Sequence, residues 1–138
     1  MESSKLLREQ SFGIAEGKPS YKPSQSYNFK EEIERGVYPV PHGNDEKFPD
    51  GESINELRQR AKEAITSLVL PHVWQTAKEN KTGTHVAVVS HGLCISQMIT
   101  ELLQMSAKHE EEQDYRGLFN TAWTRVVIDI EVCALGQR

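Results

Sequence analysis

One stretch of eight residues, 85–92, constrains the fold of this chain most. Its sequence is His-Val-Ala-Val-Val-Ser-His-Gly, and the β-branched residues within it predict a short buried strand over residues 86–89. Residues 93–104 repeat apolar side chains at helical spacing and predict an amphipathic helix. Open α/β sheets bind ligands where a strand ends and a helix begins. Since backbone N–H groups and the helix dipole favour anions there, we expect a phosphate or carboxylate site.

The composition is that of a soluble globular protein and argues against two classes of partner. The chain has 138 residues, 37% hydrophobic and 26% charged, with a net charge of −4, which suits one domain with one core. No basic stripe marks a nucleic-acid surface, and no apolar run approaches the length of a membrane span. The first ten residues are charged and do not resemble a secretory signal, so we expect a cytoplasmic protein.

The metal-ligating residue types show no familiar metal-site spacing, so we expect no metal and no organic cofactor. Four of the histidines are interpreted as surface or packing residues: His42, His72, His85 and His109. Cys94 and Cys133 stand in apolar contexts, which favours buried free thiols; a disulfide or a reactive thiol is the alternative.

Residues 18–51 predict a long surface excursion with little regular structure. Five of the six prolines fall there, which leaves room for no more than one helical turn, near residues 29–35. Loops of this length are often functional lids. A strong helix follows, because Ser53 and Glu56 form the pattern of a capping box. Pro71 either kinks this helix or begins a second one.

The order of elements predicts an α/β fold. Residues 121–132 are β-branched and partly alternating, which indicates a second strand after the helix. A strand, a helix and a strand in succession favour a parallel sheet. Stable sheets usually need three or more strands, so the single domain over residues 1–138 is expected to be part of a larger α/β domain.

Three polar residues carry the candidate chemistry. His91, at the strand end, could act as nucleophile, general acid or base, metal ligand or hydrogen-bond donor to phosphate, or could simply bond a neighbouring loop. Glu9, among apolar neighbours, could be a general acid, although a solvated charge paired with Arg8 is the simpler interpretation. Asn120 precedes the second strand and is either a polar contact of the site or a turn residue.

These segments, taken in order, resemble the histidine phosphatase superfamily in its phosphoglycerate mutase-like branch. The resemblance rests on four motifs: Leu7-Arg8-Glu9 with Phe12-Gly13 and Glu16-Gly17, Phe48-Pro49-Asp50-Gly51-Glu52-Ser53, Val88-Val89-Ser90-His91-Gly92, and Asn120-Thr121-Ala122. It covers nearly the whole chain, and residues 13–19 and 48–53 are most similar to fungal members. It implies a three-layer α/β sandwich with a mostly parallel sheet, here incomplete.

The resemblance also implies phosphoryl transfer through a phosphohistidine. Glu9 matches the carboxyl that protonates the leaving oxygen, and His91 matches the second histidine, which contacts the phosphoryl group. The backbone N–H groups of Gly92 and Leu93, with Asn120, would bind the same anion. The expected ligand is a small phosphorylated substrate, or a phosphate or sulfate ion.

The chain departs from this family at its nucleophile. Family members carry that histidine in an Arg-His-Gly motif on the first strand, and no Arg-His-Gly occurs in the 138 residues. Glu9 stands so close to residue 1 that the central strand is also left out. We therefore expect an N-terminally truncated domain, by ancestry a phosphatase of a small phosphorylated metabolite, with little or no activity.

Two alternatives stay open beside an inactive phosphatase domain. The chain could be a non-catalytic phosphate-binding or interaction module, or an incomplete gene model of an active enzyme. A missing central strand would also expose sheet edges and apolar helix faces, and such surfaces pair with other chains. A folded form of the chain is therefore expected either to form a homodimer through a sheet edge or helix face or to rearrange.

Overall fold

The computed structural model describes residues 2–23, 26–106, 118 and 121–130. Its α-helices are α1 (Phe29–Glu34), α2 (Ile54–Ala64), α3 (Leu70–Lys78) and α4 (Gly92–Gln104). A π-helical segment, Ile65–Val69, joins α2 to α3, and 3-10 turns occupy Lys5–Leu7 and Gly13–Ala15. Within these residues, none of the helices has both the length and the apolar character needed to cross a bilayer.

Helix α2 begins at the capping box that the sequence predicts. The Ser53 hydroxyl accepts a hydrogen bond from the Glu56 N–H (3.1 Å), and the Glu56 carboxylate accepts one from the Ser53 N–H (2.8 Å). Further along, Pro71 lies in the first turn of α3, so it begins a second helix. In a continuous α-helix its ring would collide with the carbonyl of Ser67, and the wider π turn at Ile65–Val69 relieves that contact.

The hydrophobic core lies where α2 and its π-helical extension pack against α4. Its buried members are Leu57, Ala61, Ala64, Ile65, Val69, Cys94 and Met98. Arg58 on α2 and Glu101 on α4 form an ion pair at 2.6 Å along the same contact. Leu6 and Leu7 also pack on this core, so the first 3-10 turn is held against the two helices.

The excursion over residues 18–51 is packed on itself. The predicted helical turn is confirmed as α1. Phe48 is buried, with its ring centroid 5.2 Å from that of Phe29 and 5.9 Å from that of Tyr38. Aromatic packing of this kind replaces the helix interior that the prolines exclude.

The predicted parallel sheet is wrong for the described residues. Residues 86–89 and 122–130 form no strand pairs, and an isolated bridge between Tyr21 and Pro39 is the only such pairing in the described part of the chain. The α/β class and the incomplete three-layer sandwich are wrong with it, because they depend on that sheet. Local β-branched composition favours an extended backbone, but a ladder also needs a neighbouring strand about 4.8 Å away, and local sequence does not supply one.

The two extended segments, residues 85–89 and 122–130, nevertheless alternate as strands do. Val88 of the first segment and Val126 and Ile128 of the second line one cavity of about 550 Å³, which α3 and α4 close on the other side. The intervening Val89 and Val127 are 87% and 69% exposed. Period-two patterning therefore predicts which side chains line the cavity, where Val88, Val126 and Ile128 are still 36–40% exposed, although these two segments do not pair.

Candidate functional site

Three segments that are distant in sequence meet at the N-terminal end of α4. The Ser90 hydroxyl donates to the Leu7 carbonyl (2.6 Å), which joins the residues before α4 to the N-terminal segment. The Gln10 side-chain amide donates to the Glu52 carbonyl (2.7 Å), which joins that segment to the start of α2. The motifs around Glu9, Glu52 and His91 are thus brought together.

Glu9 places its carboxylate on the first turn of α4. One oxygen accepts from the Leu93 N–H (3.4 Å), and the other accepts from the N–H groups of Cys94 (3.3 Å) and Gln10 (3.0 Å). The first N–H groups of a helix lack intrahelical partners, and the helix dipole favours negative charge there. Glu9 is therefore more than a solvated charge paired with Arg8, whose ion pair is with Glu52 at 3.7 Å.

His91 is the N-cap residue of α4, directly before the N–H groups that face Glu9. Its backbone is extended (φ −114°, ψ 163°), and its carbonyl accepts from the Ile95 N–H (2.9 Å). The imidazole makes no capping hydrogen bond and is exposed. The structure therefore brings the two predicted catalytic residues, Glu9 and His91, to one helix end with the imidazole open to solvent.

The predicted phosphate-binding N–H groups differ in their surroundings. The Leu93 N–H already faces the Glu9 carboxylate, so an anion bound at that point would compete with Glu9. Gly92 is exposed, and the chain returns close to it at Leu118, whose carbonyl oxygen lies 3.8 Å from where a Cβ on Gly92 would stand. Asn120, the remaining predicted ligand, lies outside the described residues.

Arg60 is the residue of this site that the sequence reasoning missed. Its guanidinium pairs with both Glu52 carboxylate oxygens (2.8 and 2.7 Å) and donates to the carbonyls of Leu6 (2.7 Å), Arg8 (2.9 Å) and Glu9 (3.3 Å). A signal was present: Arg60 stands three residues after Leu57 and four before Ala64, so it lies on the buried stripe of α2. A charged residue on that stripe needs a partner.

The charges of Glu52 and Arg60 stabilise one another. Burial by itself would raise the pKa of the Glu52 carboxyl, but the hydrogen bonds and charge of Arg60, with the charge of Arg8, outweigh burial and hold that pKa below its ordinary value. The hydrogen bonds to Glu52 raise the pKa of Arg60. The pair is therefore ionised at neutral pH.

Gly13 allows two of the sequence motifs to pack closely. The Ile14 N–H donates to the Pro49 carbonyl (3.1 Å), and the Glu52 N–H donates to the Ser11 carbonyl (2.8 Å). Gly13 has a φ of +53°, and a Cβ there would stand 2.0 Å from the Pro49 carbonyl oxygen. Only glycine fits both conditions, which fixes the main chain leading into Glu52.

The remaining titratable candidates add no metal centre. Cys94 is buried, with its Sγ 3.8 Å from the Leu6 carbonyl oxygen, which confirms the interpretation of a buried thiol. His109 and Cys133 lie outside the described residues. Across the described ranges, no three His, Cys, Asp or Glu side chains group as metal ligands would.

Comparison with known protein families identifies the class of protein that carries this site. The family model of the histidine phosphatase superfamily (branch 1) matches residues 1–136. The chain therefore belongs to the histidine phosphatase superfamily, and the resemblance predicted from its motifs is confirmed at that level. No curated protein and no solved structure gives a significant match. Membership supports a phosphatase-like function in general.

Proposed function

We propose that this chain binds inorganic phosphate or the phosphoryl group of a small metabolite at the start of α4, and that it turns over little or no substrate. The observation that carries the proposal is the placement of the Glu9 carboxylate on the Leu93 and Cys94 N–H groups, directly beside the exposed His91. Membership in the histidine phosphatase superfamily supports a phosphoryl group as the ligand.

His91 and Glu9 have different roles in this proposal. His91 contacts the phosphoryl oxygens through its imidazole and, when protonated, offsets their charge. Glu9 matches the carboxyl that protonates the leaving oxygen in active family members, but without a phosphoryl acceptor no P–O bond breaks here, and Glu9 acts only as the neighbour of the bound anion. The 138 residues contain no Arg-His-Gly to supply the family's nucleophile, so the phosphoryl group has no expected covalent acceptor.

The position of Glu9 also couples binding to protonation. A phosphate dianion and the Glu9 carboxylate would both lie at the N-terminal end of α4. Because both are negatively charged, they would repel one another. Phosphate binding is therefore expected to be accompanied by proton uptake. A neutral side chain at position 9 should bind phosphate more tightly at neutral pH.

Calorimetric titration of the whole chain with inorganic phosphate tests this proposal. His91→Ala should weaken binding about 10- to 150-fold, since hydrogen bonds to charged groups contribute about 1.5–3 kcal/mol. Glu9→Gln should strengthen binding at pH 7, because the repulsion is removed. Absence of binding to the unsubstituted chain, or identical affinities in all three proteins, would refute the site.

Phosphate release from p-nitrophenyl phosphate tests the inactivity separately. We expect no release above the uncatalysed rate. Robust turnover that disappears in His91→Ala would contradict the proposed inactivity while supporting the site. Binding without turnover is the outcome that the proposal predicts, and it fits equally the second candidate, a non-catalytic phosphate-binding or interaction module, which the missing Arg-His-Gly motif also favours.

We further propose a cytoplasmic location and a homodimer. The buried free thiol of Cys94 supports a reducing compartment. The exposed apolar side chains of the extended segments, among them Val89 and Val127, support association, because such surfaces are costly to leave in water.

A further inference from the structure

We propose that Arg60 is the positioning residue of the Glu9 site: it holds the Glu9 carboxylate at α4 by binding the main chain on which Glu9 stands. The consequence for phosphate chemistry rests on the function proposed above. The positioning role and its test do not depend on that function, because they concern only where the Glu9 carboxylate lies.

The hydrogen bonds of Arg60 account for its whole guanidinium. An arginine side chain has five N–H donors. Nε and one Nη2 hydrogen bind the two Glu52 oxygens, the other Nη2 hydrogen binds the Glu9 carbonyl, and Nη1 binds the carbonyls of Leu6 and Arg8. No donor remains for an external anion. Arg60 therefore acts on the site through the protein and not by binding phosphate.

The segment held by Arg60 cannot satisfy its own main chain. Residues 8–10 follow a single 3-10 turn and belong to no helix or strand, and main-chain carbonyls that are removed from water need donors. Arg60 supplies donors to the Leu6, Arg8 and Glu9 carbonyls, and the Ser90 hydroxyl supplies one to Leu7. The backbone of Glu9 is thus fixed from one side while its carboxylate is bound by α4 on the other.

Glu52 in turn orients Arg60. The pair is bidentate, and both side chains are nearly buried, at 10% exposure for Glu52 and 11% for Arg60. Two parallel hydrogen bonds fix the plane of a guanidinium as well as its position. A lysine at position 60 would bring three donors on one nitrogen and could not reach this set of acceptors.

Arg58 offers a matched control on the same helix. It stands two residues before Arg60, is 24% exposed and pairs with Glu101 at 2.6 Å. Glu101 lies on α4, and in sequence it is far from the segment that contains Glu9. Arg58→Lys perturbs an arginine–glutamate pair of α2 without touching the carbonyls of residues 6–9.

The test follows the amide resonances of Leu93 and Cys94 through a pH titration of the full chain by NMR. Because these N–H groups donate to the Glu9 carboxylate, their shifts should follow its titration in the unsubstituted chain and should stop doing so in Glu9→Gln. Arg60→Lys and Glu52→Gln should lose most of this titration shift. Arg58→Lys should keep it.

Two results would overturn the proposal. The first is a folded Arg60→Lys protein in which Leu93 and Cys94 keep the full titration shift. The second is an equal loss in Arg58→Lys, which would indicate general loosening of α2. If Arg60→Lys does not fold, Glu52→Gln decides, because it leaves Arg60 in place and removes only what orients it. A titration that behaves as expected in a chain that binds no phosphate would refute the proposed function and leave the positioning role standing.

Discussion

Helices α2 and α4 bury one apolar face, whereas the extended segments at residues 85–89 and 122–130 leave their apolar side chains partly or mostly exposed. Leu57 of α2 is fully buried, while Val127 of the second segment is 69% exposed. A helix satisfies its main chain within itself and needs only one apolar neighbour to bury a face. An extended segment needs a second segment for its main chain before its side chains can pack. The candidate site is built on the helical region, and Ser90, directly after the first extended segment, binds the N-terminal segment through the Leu7 carbonyl.

The largest expected difference between the two regions is in how much a truncated side chain lowers the free energy of unfolding. Leu57→Ala should lower the free energy of unfolding by about 2–5 kcal/mol, because it leaves a cavity between α2 and α4. Val127→Ala should change it by less than about 0.5 kcal/mol, as surface substitutions do. Urea denaturation followed by circular dichroism measures both. Equal losses would mean that the extended segment is buried in solution.

A glycine pair gives the next largest effect within the helical region. Gly13→Ala should cost more than about 2 kcal/mol, since a positive φ and a contact with the Pro49 carbonyl both oppose a side chain. Gly17→Ala has a similar φ, +69°, but no atom within 4 Å, so it should cost about 1 kcal/mol. The same denaturation experiment compares them, and a cost at Gly13 no larger than at Gly17 would show that this packing is absent.

A smaller effect appears in acid. Because the folded pKa of Glu52 lies below its ordinary value, the stability it contributes is present above about pH 4.3 and is lost as pH falls through the folded pKa. Urea midpoints of the unsubstituted chain should therefore fall more steeply below that pH than those of Glu52→Gln. Glu63→Gln, an exposed site on the same helix, should behave as the unsubstituted chain does. If the urea midpoints of all three proteins fell in parallel with decreasing pH, the stabilising role of the Glu52–Arg60 pair would be contradicted.

The smallest effect on folding, and the most direct probe of the extended region, concerns association. Sedimentation velocity at micromolar concentration should show a dimer, and Val127→Lys should shift it toward monomer while changing the free energy of unfolding of the monomer itself by less than about 0.5 kcal/mol. A compact monomer of the unsubstituted chain would contradict the predicted dimer.

The parts of this fold that the sequence predicts are those decided by residues close together in the chain. The capping box at Ser53, the turn at α1 and, beyond its first turn, the helix after His91 each depend on contacts within a few residues. The prediction of a sheet was wrong because strand pairing depends on a second segment elsewhere in the chain. Within the candidate site, local patterns pointed to Glu9 and His91 separately. Arg60 was missed because its five acceptors lie 8 to 54 residues away.

The contact of Glu9 with α4 also has a consequence for how this chain folds. The Leu93 and Cys94 N–H groups are satisfied by a residue 84 and 85 positions earlier, while His91 offers them no side-chain oxygen. A helix with a local N-cap can close its first turn early, but this one must wait until a loop of more than 80 residues has closed. We expect the first turn of α4 to be among the last elements protected from hydrogen exchange, so that the site is completed in the step that completes the fold.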